Sequence, residues 1–213
     1  MTQLDSHAAT KLQQWLTARQ NLLSPEIKLL LQQLHQFAWQ IHREGANSIF
    51  KKKINIAGEG TPSVELFELI ADLTCPAIGT SERAIAMKSL QETLHVCTEV
   101  APDLSPSQLG KRLENYLELR GSRGLIRVFL SLHLSNLILM DLHDSLQAAA
   151  PEMFRTRIEA IEGLCQTVAG LSVRSWAKWP KLTHNSIGSS AQIASEEMRK
   201  AINLKRRVVR RRF

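Results

Sequence analysis

Aromatic residues are scarce in this chain: one tyrosine, four tryptophans and six phenylalanines make up 5% of 213 residues. Strands favour aromatic and β-branched side chains, so the shortage argues against a β-rich core. Glycine (10) and proline (7) are too few for a fibrous or low-complexity chain. Cysteine is sparse as well. Cys75, Cys97 and Cys165 are odd in number, widely spaced and set in apolar helical patterns. They read as buried thiols of a reducing compartment rather than a disulfide framework. The N-terminus, MTQLDSHAATKLQQW, has no charged region followed by an apolar core, so no secretory signal is read there. A long hydrophobic run is missing too. The most apolar stretch, Leu125 to Leu142, is interrupted by Arg127, His133, Asn136 and Asp141. Its longest uncharged run, Val128 to Met140, falls short of the roughly 20 apolar residues that a membrane span needs. A buried helix is expected there, in a soluble cytoplasmic protein without integral membrane contact.

What is present is an ordinary apolar fraction, 44%, which rules out wholesale disorder. The length fits one domain, or one domain with a small appendage. The net charge of +7 is unevenly placed. Residues 1–173 carry 16 Lys and Arg against 18 Asp and Glu, while residues 174–213 carry 11 against 2. The division marks a near-neutral domain over 1–173 and a basic segment over 174–213. A chain basic at one end presents a local field to a polyanion.

Helix-start signals share one chemistry. Ser24-Pro25, Thr61-Pro62 and Ser105-Pro106 each set a capping hydroxyl before a proline at the first helical position. Ser105 with Gln108 fits a capping box, Pro151 opens a further helix, and Gly45 and Gly121 read as stops. Apolar spacing between these marks predicts helices near 6–22, 25–44, 62–73, 81–99, 106–120, 123–148, 151–171 and 190–205. Helix 123–148 is apolar on nearly every face, so the others should pack around it. Residues 46–60, ANSIFKKKINIAGEG, read as a short strand or exposed loop. The prolines at 25, 62, 106 and 151 are spaced 37, 44 and 45 residues apart, but no residue-level repeat accompanies them. The predicted fold is therefore all-α, a compact bundle of seven or eight helices with a basic C-terminal extension.

The last nine residues, KRRVVRRRF, carry Lys205, Arg206, Arg207, Arg210, Arg211 and Arg212, and Arg199 and Lys200 extend that charge upstream. Arginine dominates the run, which favours bidentate phosphate contact over simple solubility. Arg174, Lys178 and Lys181 are interleaved with Trp176 and Trp179, so base stacking can accompany phosphate contact. Lys51, Lys52 and Lys53 offer a second patch. A solvated tail or an address signal would show the same run.

Two short arrangements point to catalysis instead. Arg127 and His133 resemble the Arg-x4–6-His signature of HEPN-type ribonucleases, which are all-helical. The resemblance implies RNA cleavage with the histidine as acid/base and the arginine on the phosphate. The residues also read as a partly buried arginine beside a carboxylate and a hydrogen-bonded core histidine, and this reading is preferred. His143-Asp144 resembles the dyad of HD-domain phosphohydrolases, but no aspartate follows Asp144. A solvated helix end is the simpler reading. His95 and Cys97 face different ways on a helix, His35 and His42 lack a third partner, and Gly58-Glu59-Gly60 has no P-loop spacing. No catalytic residue, metal or cofactor is expected. The expected function is non-catalytic: a helical subunit that binds nucleic acid, DNA or RNA, through its basic end within a larger assembly. The alternatives are a protein–protein adaptor and, after it, the helical ribonuclease.

Overall fold

Side-chain caps and glycine stops set the helix boundaries. The computed structural model describes residues 4–19, 22–54, 63–75, 80–99, 104–148, 151–179 and 184–210; side chains 54, 63, 64, 80, 81, 184–186 and 203–210 are outside that description. The Thr61-Pro62 start lies outside it too. Asp5 caps α1 (Ser6–Ala18), its carboxylate accepting from the Ala8 N–H at 2.7 Å. Ser24 caps α2 (Pro25–Glu44), accepting from Ile27 N–H at 3.2 Å. Gly45 ends α2 with φ +81°, a left-handed conformation that glycine adopts without a Cβ clash. Ser105 and Gln108 form the reciprocal capping box at the start of α6 (Pro106–Ala148). Further helices are α3 (Ala46–Ile49), α4 (Ser63–Thr74), α5 (Thr80–Thr98), α7 (Phe154–Ser172) and α8 (His184–Arg210).

The fold is all-α, with eight α-helices and no strand among the described residues. Helix α6 packs on α5, α7 and α2, and α8 closes the bundle against α7 and α1. Leu125, Ile126, Phe129, Leu130, Leu134 and Ile138 of α6 are fully buried. Each such side chain contributes about 1.5–3 kcal/mol relative to exposure. The same part of α6 is long and apolar enough to cross a membrane by length and composition, and more than half of that window is buried inside the bundle. Gly121 breaks α6 into two arms, with φ +65° and ψ −174°. The backbone of Lys178 lies directly over it, and a Cβ at 121 would strike the Lys178 carbonyl. Two constraints, torsion and space, thus demand glycine at this one position.

Four boundaries differ from the predicted ones. Helix α1 ends at Ala18 rather than near 22, because Arg19 is extended and Leu22 and Leu23 turn into the core ahead of Pro25. A 3-10 turn, Pro151–Met153, precedes α7. Helix α8 starts earlier and ends later than 190–205, since Ile187 is already buried and offsets the cost of Gly188. Residues 46–54 are helical, α3 followed by one π-type turn (Phe50–Ile54), and neither strand nor loop. Ile49 and Phe50 are consecutive and both buried, whereas a strand would send them to opposite faces. Gly110 lets α3 approach α6 closely, and Glu114 accepts from the Ala46 N–H.

The core runs into α8, where Ile187, Ala191, Ala194, Met198 and Ile202 join it at three- and four-residue spacing. The three cysteines are free and buried: Cys75 just past α4, Cys97 in α5 and Cys165 in α7. Burial raises all three thiols above the ordinary range, Cys97 to about 12 despite its hydrogen bond with Tyr116.

Candidate nucleic-acid interface

Helix α2 carries its apolar stripe on Ile27, Leu30, Leu31, Leu34, Phe37, Ala38 and Ile41, all buried. Trp39 falls outside that stripe and keeps 40% of its surface exposed. It sits in a three-ring cluster. The ring of Trp179 stacks on His42 with centroids 4.5 Å apart and meets Trp39 edge-on at 5.5 Å. Trp39 and Trp179 are far apart in sequence, and the Lys178 backbone seated on Gly121 helps bring them together. Arg123 reinforces the seat, its guanidinium donating to the Trp176 carbonyl at 2.7 Å.

The lysine run lies on the neighbouring side of the same helix end. Lys53 donates to the Gln40 side chain at 2.6 Å, and Lys52 pairs with Glu44 at 2.9 Å. That hydrogen bond and charge hold the Glu44 carboxyl below its ordinary value. Lys51 to Lys53 are exposed, as are Arg43, Arg123, Arg174 and Lys178. Among the described residues none of Arg43, Arg123, Arg174 and Lys178 has a carboxylate within ion-pair distance. The end of α2 thus joins two patches that the sequence presents separately, Lys51–Lys53 and Lys178–Trp179. The two tryptophans of the basic segment part company. Trp176, expected as a stacking ring, is 7% exposed and offers no open face, whereas Trp179 is half-buried.

The other predicted cations are spread along α8. Arg199 is exposed and lines a cleft of about 400 Å³ together with Lys28, Gln192 and Glu196. Lys200 is exposed and pairs with Glu197 at 2.8 Å. Lys205, Arg206, Arg207 and Arg210 lie on the last turns of α8, with their side chains outside the described ones. Lys181, Arg211 and Arg212 lie outside the described residues altogether.

Sequence reasoning missed Trp39, His42, Arg43 and Arg123. The available signal was the position of Trp39, a large ring off the apolar stripe of a strongly patterned helix. The contact that completes the cluster comes from a connector 140 residues downstream.

The catalytic alternatives look different in three dimensions. His133 is fully buried, stacked on Phe129, and neither ring nitrogen has a hydrogen-bond partner. Burial, with the nearby Arg19 charge, lowers its pKa to about 4. Arg127 is exposed on another face of α6, with its guanidinium beside Gly170, so the two side chains share no site within one chain. His143 and Asp144 pair at 3.1 Å on the exposed surface. Among the described residues no three His, Cys, Asp or Glu side chains converge as metal ligands would.

A separate surface groove follows α6 between α5 and α7. Two adjoining hollows of about 490 and 430 Å³ share Val96, Ser131, Leu132 and Gln166. Arg120 and Arg127 stand at one end, and Glu92, His95 and Glu162 at the other. In comparisons with known proteins, no family model, curated protein or solved structure matches this chain.

Proposed function

We propose that this chain is a non-catalytic nucleic-acid-binding subunit that contacts phosphates through its basic C-terminal end, with the cations around the end of α2 as a continuation of that surface. The observation that carries the reading is the charge division, near neutral over 1–173 and strongly positive over 174–213. Arg43 and Lys178, exposed and without an ion pair among the described residues, support it, because a cation without an acid partner can meet a phosphate. The test is a salt titration of oligonucleotide binding. The wild-type chain is compared with one in which Arg199, Lys200, Lys205, Arg206, Arg207, Arg210, Arg211 and Arg212 are all glutamine. Each lost phosphate contact should flatten the log–log slope by about 0.7–0.9. Equal affinity and slope in the two chains overturn the reading. Charge replacement suits this test better than truncation after 173, which would strip Ile187 to Ile202 from the core.

A second reading, a protein–protein adaptor, rests on the groove between α5 and α7. Val96, a large apolar residue that lines both hollows, is left 52% exposed there. A protein partner that survives nuclease and high salt, and that is lost on Val96→Glu, would support the adaptor.

A further inference from the structure

The outer face of α2 has one more property. From Ile27 to Arg43 the helix contains no aspartate or glutamate. Its polar residues there are Lys28, Gln32, Gln33, Gln36, Gln40 and Arg43, together with His35 and His42. Helical spacing puts Lys28, Gln32, Gln36, Trp39 and Arg43 on one line, since they fall at intervals of three and four. All five are exposed or half-buried. Lys28 and Arg199 share the cleft at one end of this line, and Trp39, Trp179, Arg43 and Lys53 gather at the other.

From this arrangement we infer that the outer face of α2 is a track for single-stranded nucleic acid, with a base stacked on Trp39 and phosphates at Lys28/Arg199 and at Arg43/Lys53. The inference rests on the nucleic-acid reading above and adds to it the kind of strand and a new binding element. Several observations converge on a single strand. At about 1.5 Å per residue, Lys28 and Arg43 are about 22 Å apart along the helix. That is room for about 4 nucleotides, the small end of the site sizes of single-strand-binding folds. A duplex hides its base faces, so an exposed tryptophan gains nothing from it. An unpaired base of any identity offers a ring to stack on. Glutamine amides along the line donate and accept hydrogen bonds without repelling phosphates, and the acids at its two ends, Glu196 in the Lys28/Arg199 cleft and Glu44 beside Arg43, are each outnumbered by the cations around them. Trp179 and His42 back Trp39 from the side, which limits the ring's freedom before a base arrives.

The experiment uses the full chain with labelled oligo(dT), oligo(U) and a DNA duplex, each about 12 nucleotides long. Anisotropy should show both single strands binding more tightly than the duplex. Trp39→Ala should weaken the single strands by about 5- to 150-fold, the equivalent of roughly 1–3 kcal/mol for one stacked base, and leave duplex binding unchanged. Trp39→Phe should keep most of the affinity, because a smaller ring still stacks. Binding should also quench tryptophan fluorescence, less so in Trp39→Phe. Circular dichroism confirms that each variant is folded. Single-strand affinity unchanged by Trp39→Ala, in a chain whose binding still depends on the C-terminal arginines, overturns the track and leaves the phosphate reading standing. Tighter binding to duplex than to either single strand overturns the track as well. Absence of binding to all three probes at low salt overturns both.

Discussion

Trp15, Arg19 and Arg157 on one side of the bundle, and Trp39, Arg43 and Lys53 on another, are the same kinds of side chain in different company. In the first cluster every polar group meets an acid. Arg157 is nearly buried, pairs with Asp5 at 2.6 Å and donates to the Leu146 carbonyl at 2.6 Å. Arg19 and the Trp15 indole both donate to Asp141, at 2.8 and 2.7 Å. These contacts tie α1 to α6 and α7. In the second cluster Lys53 donates to an amide, and the neighbouring acid, Glu44, is held by Lys52, so Arg43 has no ion pair among the described residues. The acids make the difference. Where an acid bridges two helices, a cation and an indole become part of the scaffold; where the acid is held by another cation, as Glu44 is by Lys52, Arg43 and Trp39 stay exposed to something outside the chain.

Breaking the first cluster should cost the most stability. Arg157→Ala leaves the Leu146 carbonyl unpaired and Asp5 with only its cap contact to the Ala8 N–H, a loss of about 3 kcal/mol. For a chain of this size that lowers Tm by on the order of 10 °C, read by circular dichroism. Burial opposes the charge on Asp5, but the Ala8 N–H and Arg157 outweigh it and hold the carboxyl below its ordinary value. The pair's contribution is therefore fully present above about pH 4 and fades as pH falls further.

His133, whose pKa is lowered by burial and then by Arg19, gives a comparable effect in mild acid. The unfolded chain takes up this proton near pH 6.5, and the folded chain only near 4. Stability should fall as pH drops through that window, by about 3 kcal/mol across it. Urea unfolding at a series of pH values checks this, and His133→Leu should flatten the curve.

The two indoles give a smaller contrast. Trp15→Phe removes the donor to Asp141 from a buried site and should cost about 1–3 kcal/mol in denaturant unfolding. Trp39→Phe should stay within about 0.5 kcal/mol, since that ring is already open to water. Smallest of all in stability is Arg43→Gln, expected within about 0.5 kcal/mol of wild type. Its effect should appear in oligonucleotide binding instead, as a salt slope shallower by about 1.

Much of the scaffold was legible because its signals are local. The Ser24 cap, the Ser105–Gln108 box and the stops at Gly45 and Gly121 lie within one turn of the boundaries they set, and the structure bears them out. The helix over 46–49 was not legible, because its support comes from Glu114 and the bare backbone of Gly110 on another helix. The face of α2 was half legible. Lysines 51–53 and Trp179 could be picked out by type, but their meeting depends on α2 as a shared neighbour. Trp176 and Trp179 are three residues apart with similar flanking charges, and only packing separates the sealed ring from the open one.

The buried thiols have a practical use beyond packing. A cysteine reacts as the thiolate, and these three are both covered and hard to ionise. Alkylation of each must therefore wait for the structure around it to open. Because Cys75, Cys97 and Cys165 belong to three different parts of the chain, their separate labelling rates form a natural set of clocks. Read site by site by mass spectrometry, they would rank which helix loosens first and which is released only when the whole bundle comes apart.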